Sequence, residues 1–427
     1  MQINPTQFKF NGQYRQNQIF TFFKTYPINT RLILMATFFA GLGAGINEVN
    51  FNYYLLSLGY NEIFIATLTS LATLTAAIAS IPMSFLVNRI GRRNAIVVNQ
   101  LISWPLFLLQ VLLPISPIIL GASVVSSLVS TMQGLSERPL LIESTEEDKR
   151  VNVFSLVTMT SLVAVISGNF FGGKLTYLAT QIFSLPAESP WAYRAALFCT
   201  SLLSGIAMSC YLRLKHIPIS ADHLDTRTNS HFFKRLFGNL ESFGFIWKLL
   251  LGQMLIGFGA GFTVPLFSLF FKKVYHATAD QWGTISSIAK LPMFFGVMIS
   301  PKIARKFGSL KTVVFCQYLS IPFLLLTLFA PNIAVAGFGF AIRHALMNMT
   351  EPIWASFYMG MLKPKELSTV SSFITVGWNT LNATGTRIGG SFLESGKHQW
   401  SFYITGLAYV IASSFYSIVW RKHMRKT

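Results

Sequence analysis

The sequence predicts an all-α membrane protein with twelve transmembrane helices in two six-helix repeats. Three observations carry the prediction: composition, the spacing of the apolar runs, and a repeat at nearly constant offset. Of 427 residues, 52% are hydrophobic and 11% charged, whereas soluble domains average roughly 25% charged. Asp and Glu together number 15 against 39 Phe, too few polar groups to cover a water-facing surface.

A bilayer core about 30 Å thick requires roughly 20 apolar residues per helix. That ruler places spans at 31–58, 63–87, 94–115, 117–140, 151–178 and 192–212, then at 246–271, 283–304, 310–330, 333–361, 368–393 and 399–420. The expected organisation is an N-terminal segment 1–30, a first bundle 31–212, a linker 213–245, a second bundle 246–420 and a tail 421–427. Within the linker, Phe232, Phe233, Leu236, Phe237 and Leu240 share one helical face, the pattern of an interfacial amphipathic helix. The first 30 residues lack the compact apolar core of a cleavable signal.

Basic residues set the expected orientation. With the N-terminus inside, one face collects Arg89, Arg92, Arg93, Lys149, Arg150, Lys302, Arg305, Lys306, Lys311, Lys363 and the basic tail, while the other keeps Arg194, Lys272, Lys273 and Lys397. Both termini are therefore expected in the cytoplasm of a multi-pass protein of a cell membrane, with a bacterial inner membrane as its setting. Net charge is +19, but the cations form short clusters between apolar runs. Anionic lipid headgroups, not nucleic acid, are their expected partners.

The repeat appears when the second half is laid over the first. Gly41-Leu-Gly-Ala-Gly-Ile46 matches Gly257-Phe-Gly-Ala-Gly-Phe262 at an offset of 216. Thr69-Ser-Leu-Ala72 matches Ser286-Ser-Ile-Ala289, and Gly168-Asn-Phe-Phe-Gly-Gly173 matches Gly385-Thr-Arg-Ile-Gly-Gly390, both at 217. The basic turn Ser84-Phe-Leu-Val-Asn-Arg-Ile-Gly-Arg-Arg93 recurs in weaker form around Gly308, again at 217. Matches at corresponding spans favour two parallel six-helix bundles with a central site between them.

These features resemble the major facilitator superfamily over the whole chain. The turn is similar to the signature Gly-x-x-x-Asp-Arg-x-Gly-Arg-Arg: Arg89, Gly91, Arg92 and Arg93 match, while Ser84 replaces the first glycine and Asn88 the acid. The resemblance implies a gating loop that ties the halves on the cytoplasmic side, with basic groups meeting acids and helix C-terminal carbonyls. Gly168, Gly172 and Gly173 resemble part of a second signature, Gly-x-x-x-Gly-Pro-x-x-Gly-Gly, that marks proton-driven exporters; Ala164 and Asn169 depart from it.

Ionisable groups inside spans are costly, about 2.5–3.5 kcal/mol on insertion scales, and mark candidate functional positions. Glu48 lies deep in the first span on one face with Gly41, Gly45 and Asn52. Arg343, His344 and Glu351 stand in the tenth, with Pro352 expected to open the helix locally. Lys290 in the eighth and Arg387 in the eleventh add positive charge, and Asn379 and Asn382 add hydrogen-bonding groups. Glu48 reads either as a proton carrier, since a desolvated carboxylate holds its proton more readily, or as a structural hydrogen-bonded acid.

The expected activity is secondary active transport of a small organic solute by alternating access, as proton-coupled export. Proton-coupled uptake of an organic anion is the alternative, motivated by Lys290, Arg343 and Arg387; a lipid-handling or receptor role on the same scaffold is a third reading. No Gly-x-x-x-x-Gly-Lys-Ser/Thr loop is present to bind a nucleotide. The seven histidines do not share metal-site spacing, so no cofactor, metal or enzymatic chemistry is expected. A monomer working with substrate, protons and the bilayer is the expected unit.

Overall fold

The computed structural model describes residues 26–186, 188–215, 243–363 and 366–421, and these residues fold into α-helices joined by short turns. The N-terminal segment, the amphipathic linker helix and the basic tail expected from the sequence lie largely outside the described residues. The first half comprises α1 (Ile28–Ser57), α2 (Glu62–Ile90), α3 (Arg92–Leu112), α4 (Ser116–Glu143), α5 (Arg150–Ile182) and α6 (Pro190–Leu212). The second comprises α7 (Phe243–Thr263), α8 (Phe267–Tyr275), α9 (Ala279–Phe307), α10 (Ser309–Phe329), α11 (Ile333–Asn348), α12 (Glu351–Met361), α13 (Leu367–Glu394) and α14 (His398–Val419).

The twelve expected spans are present, two of them broken. The seventh divides into α7 and α8 at a 3₁₀ turn, Val264–Leu266, where Pro265 removes a backbone donor. The tenth divides into α11 and α12 just before Glu351-Pro352, as the proline predicts. Most helices run past the sequence-based limits, because the apolar ruler stops at a charge while helical hydrogen bonding continues through the headgroup layer. Ends are set by side-chain caps: Asn61 on Phe64 N (2.9 Å), Asn332 on Val335 N (3.0 Å), and a reciprocal capping box between Thr278 and Gln281. Gly91 and Gly308 reverse the chain in a single residue at φ 86° and 89°, a conformation that only glycine adopts without strain.

Packing repeats with the sequence. In the first half α1 packs on α5 and α6, α4 on α2 and α3, and α3 on α6; in the second α7 packs on α13 and α14, α11 on α9 and α10, and α10 on α14. The halves meet through two reciprocal pairs, α2 with α13 and α5 with α9. Call the face bearing the Gly91 and Gly308 turns the loop face, and the opposite one the far face. At the far face one hydrophobic core spans both halves, with Val49, Tyr53, Leu55 and Ile65 packed in one cluster with Phe267, Phe270, Phe271 and Trp282. Toward the loop face the core divides between the halves. Clusters with Ile33, Ile96, Leu140 and Tyr211, and with Val87, Ala95 and Met132, belong to the first half, and one with Leu249, Leu310, Trp354 and Tyr416 to the second. The molecule is therefore sealed at the far face and parted toward the loop face.

Candidate functional site

The site begins with glycines that bring helices into backbone contact. A Cβ on Gly45 of α1 would lie 2.5 Å from Val165 O and 2.6 Å from Asn169 N of α5. One on Gly283 of α9 would lie 2.5 Å from Asn169 O. Helices α1 and α9 therefore each approach the backbone of α5 closely, and Asn169 stands at both contacts.

Three sequence-predicted residues come together beside it. Lys290 Nζ of α9 donates to Glu48 Oε1 of α1 at 2.8 Å, an ion pair across the two halves. One turn nearer the far face, Asn52 Nδ2 of α1 donates to Ser268 Oγ of α8 at 2.8 Å. Glu48 lies nine residues before the end of α1 and Lys290 eleven after the start of α9. At 1.5 Å per residue, both sit about 15 Å below the far face, near mid-depth.

Asn169, seen in the sequence only as a departure from a glycine signature, completes the cluster. It is fully buried, and its amide orientation follows from four neighbours. Nδ2 donates to Gly45 O (3.2 Å) and Val165 O (3.0 Å), while Oδ1 accepts from Lys290 Nζ (2.7 Å) and Ser286 Oγ (2.7 Å). Next to it, Ser287 Oγ donates to Ile166 O at 2.7 Å, again across the halves. A lone Asn within a glycine-rich run was the available signal.

Among the described residues, the other predicted residues make no hydrogen bond to this cluster. Arg343 is 2% exposed, donates to Tyr409 OH at 2.5 Å, and lies over the rings of Phe267 and Tyr409 at 5.5 and 5.7 Å. His344 stacks 5.6 Å from Phe340 and has Arg343 and Lys290 as the cations in electrostatic range. Glu351 is exposed in the first turn of α12, where the helix dipole favours a carboxylate. Asn382 donates to Gly257 O at 3.2 Å and holds α13 against α7; Asn379 is half-buried one turn away. Arg387 is exposed on the face of α13 that carries Thr380 and Thr384, turned from the Asn382 and Gly385 face.

Ion pairs missed by the sequence reading close the far face. Lys273 of α8 pairs with Glu62 of α2 (2.8 Å) and donates to Glu394 O (3.1 Å). The Glu394 carboxylate accepts from Asn61 Nδ2 and Ile63 N, each at 3.0 Å. Lys174 pairs with Asp280 at 3.2 Å, and Lys272 pairs with Glu188. Each of these pairs crosses between halves.

At the loop face, the signature residues bind within the first half. Arg92 pairs with Glu143 at the end of α4, and Arg93 donates to Leu214 O (2.5 Å) and Leu212 O (3.3 Å) beyond α6. Those oxygens are the acid and the helix C-terminal carbonyls that the basic turn requires. Asn88 and Arg89 are exposed.

The model of the Major Facilitator Superfamily matches residues 33–342 and, a second time, residues 249–426. The chain belongs to the major facilitator superfamily. It is thus a membrane transporter of that superfamily and not an enzyme. No curated protein sequence matches it. Among solved structures, a bacterial homologue of the human lysosomal transporter Spinster, in an inward-facing and occupied conformation, superposes with a TM-score of 0.70 at 15% identity, covering 92% of this chain and 96% of that one. The nucleoside transporter NupG superposes at 0.72 with 12% identity, covering 93% and 99%. A D-xylose-proton symporter superposes at 0.66 with 14% identity, covering 93% and 97%. At these identities the likeness is one of superfamily fold.

Proposed function

We propose that this superfamily transporter exports a small organic molecule in exchange for protons, with Glu48 as the proton-carrying group. The reading rests on one observation, the Glu48–Lys290 pair. It joins the two halves at mid-depth, where the parted loop-face space meets the sealed far face. A proton on Glu48 removes the ionic part of that contact, so protonation changes how firmly the far face is held. Exchange follows when substrate leaves and a proton binds on the far side.

The loop face is assigned to the cytoplasm because its cations are the more numerous, while Lys174, Lys272 and Lys273 on the far face are each neutralised by an acid. In that orientation the structure is inward-open, in a bacterial inner membrane, with both termini cytoplasmic and the monomer as working unit. The Asn88–Arg93 turn then acts as the gate on the cytoplasmic side: its partners belong to one half here, and contacts to the second half form when that side closes. Uptake of an anion has less support, because Lys290 is held by Glu48 and Asn169, Arg343 is buried against rings, and Arg387 lies on another face.

The test is flux in proteoliposomes under an imposed proton gradient, with a pH dye inside and a panel of organic solutes. Solute-dependent proton flow opposite to solute movement is expected from the wild type and is lost in Glu48→Gln. Accumulation of anions with inward proton flow, or unaltered coupling in Glu48→Gln, overturns the reading.

A further inference from the structure

The two members of the mid-depth ion pair are unequally presented. The Glu48 side chain is 44% exposed and that of Lys290 14%. Of the two carboxylate oxygens of Glu48, Lys290 binds Oε1, and among the described residues no hydrogen bond reaches Oε2. The ammonium has a second acceptor behind it, Asn169 Oδ1 at 2.7 Å, on an amide held in place by Gly45 O and Val165 O. An oxygen fixed in this way offers the lysine a second acceptor when it leaves its carboxylate.

We infer that Lys290 is a resident stand-in for the substrate, and that the Glu48 carboxylate is the site of an organic ammonium. The inference deepens the proposed role of Glu48 and rests on it. An amine entering from the loop side meets the open edge of the carboxylate. It displaces Lys290, which falls back onto Asn169. An anion meets the opposite arrangement, since the exposed charge is negative and the ammonium is turned into α5. Exchange at one carboxylate of a monovalent ammonium for a proton moves no net charge. Asn169 acts as a positioning residue: it sets how readily Lys290 leaves Glu48, without touching the substrate.

The test reads thermal stabilisation of the full-length protein in detergent by n-butylammonium, against sodium at equal ionic strength, with butyrate as the anionic counterpart. Butylammonium is expected to bind Lys290→Ala up to about fivefold more tightly than wild type, because a competing partially exposed ion pair has been removed. Asn169→Asp gives Lys290 its own carboxylate and is expected to tighten butylammonium binding in the same direction, and it serves if Lys290→Ala does not fold. Glu48→Gln is expected to lose the effect. Equal shifts in wild type and both Lys290→Ala and Asn169→Asp, including no shift in any, overturn the inference, as does stabilisation by butyrate. The binding assay needs no proton gradient, so its outcome is separable from the flux result. Ammonium competition with intact coupling in Glu48→Gln would refute the proton role alone, and lost coupling without competition would refute the stand-in alone.

Discussion

The far and loop faces are built from the same repeated helices, yet they are held in opposite ways. The far face has one core shared by both halves and a set of ion pairs across the seam, whereas each core toward the loop face belongs to a single half, and Arg92 and Arg93 bind inside their own half. The difference teaches that closure here is a matter of polar contacts laid over close backbone packing. The glycines of α5 and α9 bring the halves together, and Glu48, Lys290, Asn52, Lys273 and Asp280 fasten them.

The largest effect is expected from breaking that packing. A Cβ at Gly173 would lie 2.5 Å from Asp280 Cα, with the Ala279 carbonyl nearer still, so Gly173→Leu forces the seam apart. Overpacking typically costs about 1–3 kcal/mol, enough to shift the population toward the state closed at the loop face by roughly fivefold to more than a hundredfold. Spin-label distances between α2 and α13 ends on both faces measure this. An unchanged far-face distance in a folded variant would count against glycine packing as the basis of the seal. Lys273→Met is the next step down. It leaves Glu62 without its partner across the seam, and a loss of about 1 kcal/mol is expected in the same direction, read by cysteine accessibility at the far face.

A smaller change is expected from Ser268→Ala, which leaves Asn52 unpaired while the aromatic core stays intact. The expected loss of about 0.5 kcal/mol, the low end for a single hydrogen bond, should appear as faster far-face labelling without a change in folded yield. The smallest effect is expected from Asn88→Asp, because Asn88 is exposed. Thermal stability should stay within about 0.5 kcal/mol of wild type, while transport is kept or raised. Loss of transport with normal membrane insertion would contradict the gating role of the turn.

Span number and duplication were legible because the bilayer sets helix length and because small residues recur wherever helices touch. The break before Glu351 was legible from Pro352, whereas the break at Pro265 was overlooked inside an unusually apolar run. Glu48 and Lys290 stood out singly as costly charges. Their pairing did not, because hydropathy shows that a buried charge needs a partner but not which one, and 242 residues separate these two. Asn169, Ser286 and the far-face acids were less visible still. An amide or a hydroxyl costs little in a span by itself, and an acid at a helix end reads as an ordinary interfacial residue.

The contact between Asn52 and Ser268 joins residues 216 apart, the same offset that aligns the glycine runs of the first and seventh spans. These are equivalent positions of the two repeats touching each other, which places them on the pseudo-two-fold axis. In a symmetric pair of separate six-helix subunits, the residue on such an axis faces its own copy and must suit itself. Within one covalent chain that requirement lapses. The amide on one side and the hydroxyl on the other form a donor–acceptor pair that no homodimer could present, a mark of fusion left at the centre of the molecule.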